Sequence, residues 1–337
     1  MKKTIQEISF QPTAWRDTII AYNEQKKRIM DFFEIHRDAK ILLTGCGSSY
    51  YLPLIGSSIY TRFTGKASMG LPASEIMLNP EIVFADDQKY LLISVSKSGK
   101  TPETLAAARY VKENEIGGTM LISCTEQSEI ARYADLSFIC PNAAEETKFM
   151  TKSFTSMLLG FQLMIASISK NSSFEAELQK LPAHGERLIN QYQSSIEQLV
   201  YKNDFDLYIF LGHGPYFGVA SEAMNKTKEM GRVPAEAYHG FELMHGPNYA
   251  VNDKTLITYL LSESIKEEEI KLLRRAKTLG GTIMVICEKS TAEITDLSDY
   301  LFELNSGLSE NATPLLSLLL VQLFGYYNAL ALGKELE

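Results

Sequence analysis

Residues 90–113 read Tyr90-Leu-Leu-Ile-Ser-Val-Ser96-Lys97-Ser98-Gly99-Lys100-Thr101-Pro102-Glu-Thr-Leu-Ala-Ala-Ala-Arg-Tyr-Val-Lys-Glu113. A short apolar run gives way to a polar loop with a glycine, and a proline then opens a segment with helical spacing. The run suits a strand buried on both faces, and proline in the first turn suits a helix start. The same rhythm recurs outward from this stretch. Apolar runs at 40–45, 119–124 and 136–140 read as strands, and 148–169 as a helix. In the second half 206–212, 255–261, 281–287 and 300–304 read as strands, with helices at about 218–229, 266–279 and 314–332. Strands apolar on both faces and separated by helices imply parallel sheets covered on both sides. The expected fold class is α/β: two tandem doubly wound parallel-sheet subdomains of the flavodoxin-like kind, covered by helices.

The two halves resemble each other. Each opens with a strand, a Gly-x-Gly turn (Gly45-Cys-Gly47, Gly212-His-Gly214) and a helix. Each continues with a strand ending in Ser-x-Ser (Ser94-Val-Ser96, Ser262-Glu-Ser264) and a later one ending in Cys124 or Cys287. An internal duplication at a spacing of about 165 residues accounts for this. The expected organisation is a helical extension over 1–38, a first domain over 39–170, a helical connector over 171–203 and a second domain over 204–337.

Of 337 residues, 45% are hydrophobic and 22% charged, ordinary for a globular protein with a sizeable core. A net charge of -8 and a pI near 5.4 argue against nucleic acid or a membrane surface as partner. An anionic ligand then needs a locally basic or N–H-rich pocket. Cys46, Cys124, Cys140 and Cys287 are scattered without a C-x-x-C pair, and Cys46, Cys124 and Cys287, which follow apolar runs, read as small core residues at strand ends. No metal and no other cofactor is expected. Polar Gln6 and Glu7 follow Met1-Lys-Lys-Thr, so no signal peptide is visible. No apolar stretch approaches the ~20 residues of a membrane helix, the run at 315–320 belonging to a periodic segment interrupted by Gln322. A soluble, cytoplasmic chain is expected.

The loop from Ser96 to Thr101 sits where a strand passes into a helix, a place that offers unpaired N–H groups and the positive end of a helix dipole. Ser96, Ser98 and Thr101 add hydroxyls, Gly99 permits close approach, and Lys97 or Lys100 can add charge-assisted bonds. A capped helix with Thr101 or Ser98 as N-cap needs only one of these hydroxyls. Phosphate binding uses them all. The second half reads Ser262-Glu-Ser-Ile-Lys-Glu-Glu-Glu at the corresponding point, acids where an anion would lie, so one phosphate site per chain is expected. Gly45-Cys-Gly47-Ser48-Ser49-Tyr50 on the neighbouring turn can contribute Ser48 or Ser49. It lacks the third glycine of a dinucleotide fingerprint, and Gly99-Lys100-Thr101 lacks the first glycine of a Walker A loop.

The second half carries acid–base candidates. Glu222, Lys226 and Glu229 fall on one helical face. A surface of ion pairs is the ordinary reading of such a face, and a catalytic one is open. Farther on, His245-Gly246-Pro247 places a histidine in a turn, suited to general acid–base work. His239 is a weaker candidate, and His36, His184 and His213 read as structural or surface. Glu242-x-x-His245 occurs once, too little for a metal site.

Gly45-Cys-Gly-Ser-Ser49, Ser96-x-Ser-Gly-x-Thr101-x-Glu-Thr, Glu145…Thr151-Lys-Ser-Phe-Thr, Lys226…Glu229 and Ala235-Glu-Ala-Tyr…Glu242-Leu-x-His245-Gly-Pro resemble the sugar isomerase (SIS) family, in order over residues 35–332. Within it, the isomerase halves of glucosamine-6-phosphate synthases and the standalone phosphosugar isomerases and fructosamine-6-phosphate deglycases are similar. The resemblance implies that Ser49, Ser96, Ser98 and Thr101 bind phosphate. It implies that Glu229 moves a proton between C1 and C2 beside Lys226. It implies that His245 helps open the sugar ring and comes from a neighbouring subunit, hence a homodimer or higher oligomer with shared active sites.

Three departures qualify this. Position 2 is Lys2 rather than a catalytic cysteine, and no glutaminase domain is expected. The tail bearing the family's Schiff-base lysine has no counterpart before the end at Gly333-Lys-Glu-Leu-Glu. Met150 stands where the synthases have a sugar-contacting serine, and Lys97 and Lys100 replace glutamine and glutamate. Gly47, Ser48, Lys100 and Met150 are expected around the sugar. The expected function is an isomerase, deaminase or deglycase acting on an amino- or amine-linked hexose 6-phosphate, its base raised by burial beside Lys226. The alternative is a non-enzymatic sugar-phosphate-binding regulator.

Overall fold

The computed structural model describes residues 3–85 and 88–336. Lys2 and Glu337, which enter the expectations about the two chain ends, lie outside the described residues. The chain forms two compact units: Phe10–Pro182, and the N-terminal residues up to Ser9 together with Ala183 onward. Helix α1 (Lys3–Ser9) is therefore counted with the second unit.

In the first unit, α2 (Gln11–Ile35) leads into β1 (Lys40–Gly45), α3 (Ser48–Thr64), β2 (Ser68–Pro72), α4 (Ala73–Leu78), α5 (Pro80–Val83), β3 (Tyr90–Ser96), α6 (Pro102–Glu113), β4 (Gly117–Ser123) and β5 (Leu136–Ile139). The unit closes with α7 (Lys152–Ile168) and α8 (Ser172–Leu178), and α9 (Leu181–Lys202) carries the chain into the second. The strands form one parallel sheet in the order β2-β1-β3-β4-β5. This is the doubly wound order whose switch point lies between β1 and β3, the usual ligand crevice of such sheets.

The second unit repeats the plan. It has β6 (Leu207–Gly212), α10 (Pro215–Lys226), β7 (Ala235–His239), β8 (Thr255–Leu260), α11 (Lys266–Lys277), β9 (Thr282–Cys287), α12 (Ala292–Leu297), β10 (Tyr300–Glu303) and α13 (Pro314–Ala331). Its parallel sheet runs β10-β9-β8-β6-β7, the same order read from the other edge. Every residue of β3 and β8 is buried, as the unbroken apolar runs predict for strands covered on both faces. Leu42, Leu92, Ala107 and Val111 share one core of the first unit, and Ile209, Tyr259, Leu272 and Val285 share that of the second.

The strands read from apolar runs are present to within two residues. Two strands were not read, β2 and β7, which are the edge strands beside β1 and β6 and are only partly buried. The helix expected over 148–169 begins at Lys152. The preceding segment is held off the helix by Glu145, whose Oε1 accepts from the N–H groups of Thr151 and Ser153, both at 2.7 Å. The helix expected over 218–229 starts at Pro215 and ends at Lys226, where a π turn over Thr227–Gly231 follows. Helix α13 is long and apolar enough to cross a membrane by composition, yet nearly all of it is buried inside the second unit.

Candidate active site

In the first unit the turn after β1 and the loop after β3 lie side by side at the carboxyl ends of adjacent parallel strands. Gly47 turns the chain with φ at +56°, so Ser48 and Ser49 open α3, both largely buried. Ser49 Oγ reaches Met150 Sδ at 3.6 Å, bringing the segment before α7 to the same place. In the β3–α6 loop, the N–H of Gly99 donates to Ser96 Oγ at 3.1 Å and that of Lys100 to Ser98 Oγ at 3.3 Å. Ser96 Oγ and Thr101 Oγ1 are 3.2 Å apart. Thr101 occupies the N-cap position of α6 but makes no side-chain cap bond, so the capped-helix account of its hydroxyl does not hold. Gly99 has φ at +62°, and a Cβ there would lie 2.1 Å from Ser128 Oγ, so the loop closes only with glycine.

Lys97 is fixed from both ends. Its carbonyl accepts from Cys124 N, Ser123 Oγ and Thr125 Oγ1 at 3.2–3.3 Å. Its ammonium lies 3.5 Å from Glu145 Oε2 and 3.4 Å from the carbonyl oxygens of Thr147 and Lys148. The Glu145 side chain has no exposed surface, and its Oε2 has no hydrogen-bond partner. Hydroxyls, a helix N-terminus and an ammonium thus converge in one crevice, an arrangement suited to an oxyanion.

In the second unit, α10 carries Glu222, Lys226 and, one turn on, Glu229. Lys226 is wholly buried, its ammonium 3.4 Å from Glu222 Oε1 and 2.5 Å from Glu229 Oε2. Burial works against the Lys226 charge, but Glu222 and Glu229 outweigh it and hold the ammonium above its ordinary range. Asn225 Nδ2 donates to Glu229 Oε1 at 3.0 Å. Both carboxylate oxygens of Glu229 are therefore oriented while its side chain stays 39% exposed. The expected burial falls on Lys226 and Glu222 instead. Asn225 was not singled out in the sequence, although its i,i+4 spacing to Glu229 is a legible signal.

His245 follows a 3-10 turn over Gly240–Met244 and is exposed, on a loop with Tyr249 at 90% exposure. Glu229 leads into β7 and His245 follows its far end, and no hydrogen bond or ion pair joins them among the described residues. His239 ends β7 with its ring stacked on Phe217 at 3.8 Å. His213, read as structural or surface, has Nδ1 2.9 Å from Glu269 Oε1.

A family model for the SIS domain matches residues 34–167 and 207–332, which takes in the loop from Ser96, the Lys226–Glu229 pair and His245. The chain belongs to the SIS family. This SIS protein is 28% identical over 357 aligned residues to glutamine–fructose-6-phosphate aminotransferase (isomerizing) of Francisella tularensis, covering 99% of this chain and 56% of that protein. It thus spans about half the length of the curated relatives it matches. Among solved structures, glucosamine-6-phosphate deaminase of Thermotoga maritima is similar at 25% identity and a TM-score of 0.78, covering 99% of this chain and 96% of that one. The C-terminal domain of glucosamine-fructose-6-phosphate aminotransferase from Francisella tularensis shares the fold at 23% identity and a TM-score of 0.85, covering 100% of this chain and 98% of that one.

Proposed function

We propose that this SIS protein is an isomerase, deaminase or deglycase of an amino- or amine-linked hexose 6-phosphate, working by proton transfer between C1 and C2. The observation that carries the reading is Glu229: an accessible carboxylate aimed by a wholly buried ammonium at 2.5 Å and by Asn225 at 3.0 Å. Ser49, Ser96, Ser98 and Thr101 hold the phosphate, with Lys97 beside the loop against Glu145 and Lys100 adding positive charge nearby. Gly47, Ser48 and Met150 shape the sugar's surroundings. In the open-chain sugar Glu229 takes the C2 proton. The C2–H electron pair forms the C1=C2 bond of an enediol or enolamine, and the oxygen or nitrogen on C1 is protonated. Return of the proton to C1, with loss of the proton on the C2 oxygen or nitrogen, gives the ketose or a C2 imine whose hydrolysis releases ammonia. An amine-linked ketose runs the reverse course: Glu229 takes the C1 proton, C2 is protonated, and hydrolysis of the C1 imine releases the amine. His245, on its exposed loop, assists ring opening. Its separation from Glu229 along β7 supports its donation by a neighbouring subunit of a cytoplasmic homodimer.

Glu229→Gln keeps the size and the contacts but cannot accept a proton. Turnover falls at least about a hundredfold while phosphate-ester binding persists. The measurement is a panel of 6-phosphorylated hexoses, hexosamines and fructosamines, scored for ammonia or amine release and for glucose 6-phosphate. Near-normal turnover by Glu229→Gln removes the assignment. Binding that raises the melting temperature with no substrate consumed by the unaltered protein selects a sugar-phosphate sensor instead.

A further inference from the structure

The two sheets can be compared residue by residue. Gly45 and Gly212 end equivalent strands, and each is followed two residues later by a glycine of nearly identical backbone, Gly47 at φ 56°, ψ −128° and Gly214 at φ 52°, ψ −128°. Thr44 pairs with Ser94, so Gly45 stands across from Val95, whereas Gly212 pairs with Leu260. Lys97 is therefore equivalent to Ser262, and Gly99 to Ser264. The two Ser-x-Ser pairs that look alike in sequence are not equivalent, because β8 ends at Leu260 and leaves Ser262 in the loop.

Each unit also sends a buried glutamate from the segment before its long apolar helix to this loop. In the second unit Glu310 Oε2 accepts from Ser262 Oγ at 2.5 Å and from the N–H of Ser264 at 3.0 Å. The loop's donors are thus spent on a carboxylate of the chain itself. In the first unit Glu145 Oε2 faces only the Lys97 ammonium. No carboxylate reaches the N–H groups of Ser98, Gly99 or Lys100 among the described residues.

We propose that Lys97 keeps the first loop open to an external phosphate by serving as counter-ion to Glu145, which otherwise closes on the loop as Glu310 does on its counterpart. Lys97 is a positioning residue, acting through Glu145. The inference rests on the phosphate reading given above and assigns one residue the choice between an internal and an external anion. The Lys97–Glu145 pair is neutral, so the incoming phosphate meets no net repulsion. Serine at position 97, copying the second unit, leaves an uncompensated buried carboxylate beside hydroxyl and N–H donors.

The test is calorimetric titration of the full chain with inorganic phosphate at low salt, with circular dichroism confirming each variant's fold. Lys97→Ser weakens binding by about tenfold or more, the scale of one charged hydrogen bond. Adding Glu145→Gln to Lys97→Ser restores neutrality and brings binding back to within about threefold of the original. Glu145→Gln alone binds as tightly or more tightly. A double variant as weak as Lys97→Ser overturns the proposal, because Lys97 then touches the phosphate itself. Weaker binding by Glu145→Gln alone also overturns it, and this variant decides the matter if Lys97→Ser does not fold. An unaltered protein that takes up neither inorganic phosphate nor a hexose 6-phosphate overturns the phosphate reading and this inference together. Binding without rescue overturns this inference only.

Discussion

Single ionisable residues in this chain owe their state to what encloses them. Lys226 keeps its charge although wholly buried because two carboxylates flank it. Glu269 is the opposite case. Burial pushes its carboxyl above the ordinary 4.5, against the pull of His213 and of the Ser262 N–H, with Glu310 adding to the rise. As pH climbs past 4.5 the unfolded chain loses this proton before the folded one does. Stability therefore falls with rising pH up to the folded value and is level beyond it. Glu269→Gln removes that slope, so the melting temperatures of the two proteins, followed upward from pH 4.5, should agree best at the low end and separate as pH rises. Parallel curves over that window refute the assignment. Nothing in the sequence marked Glu269 apart from Glu267 and Glu268. Helical spacing alone turned one of the three inward.

At the scale of elements, the turns matter more than the strands they join. Helix α3 can start where it does because Gly45 has no side chain. A Cβ there would lie 2.2 Å from the Ser49 carbonyl oxygen, as one at Gly212 would lie 2.4 Å from that of Tyr216. Gly45→Ala must displace the first turn that presents Ser48 and Ser49. The expected cost is about 1–3 kcal/mol in denaturant unfolding together with weaker phosphate binding. Unchanged affinity would separate Ser49 from the site. Central strands were legible because both their faces are apolar. Edge strands β2 and β7 were not, since Ser68-Met-Gly-Leu-Pro72 and Ala235-Glu-Ala-Tyr-His239 are partly exposed and carry no apolar run. The start of α7 was misplaced because the Glu145 carboxylate, a few residues upstream, takes the N–H groups of Thr151 and Ser153 and ends the loop there.

For the whole molecule, the two units differ in what they report. Trp15, the one tryptophan in the sequence, is buried in the Phe10–Pro182 unit, with Nε1 donating to Thr155 Oγ1 at 2.8 Å. Thr155 passes that bond on to Gln11 Oε1 at 2.8 Å, which ties α2 to α7. Tryptophan emission therefore follows unfolding of the unit that holds the loop from Ser96 to Thr101. A phosphate ester at a hundred times its dissociation constant adds about 2.7 kcal/mol to the state that binds it. For a unit of this size that raises the emission-monitored transition by about 5–10 °C. Saturating ligand with no movement of this transition would take the phosphate away from the loop.

By itself the sequence determined the class of fold, its duplication, and the chemistry available on the loop from Ser96 and on the face shared by Glu222, Lys226 and Glu229. These follow from local periodicity, turn residues and i,i+4 spacing, all of which act over a few residues. Tertiary structure decided which charges meet. Glu145 reaches Lys97 from 48 positions away and Glu310 reaches Ser262 from as far. Those contacts depend on the depth of each helix against its sheet, and no local pattern records that depth. The phosphate loop was therefore visible as a set of polar groups, whereas the pairing of the buried Glu145 with Lys97 beside it became visible only in the fold.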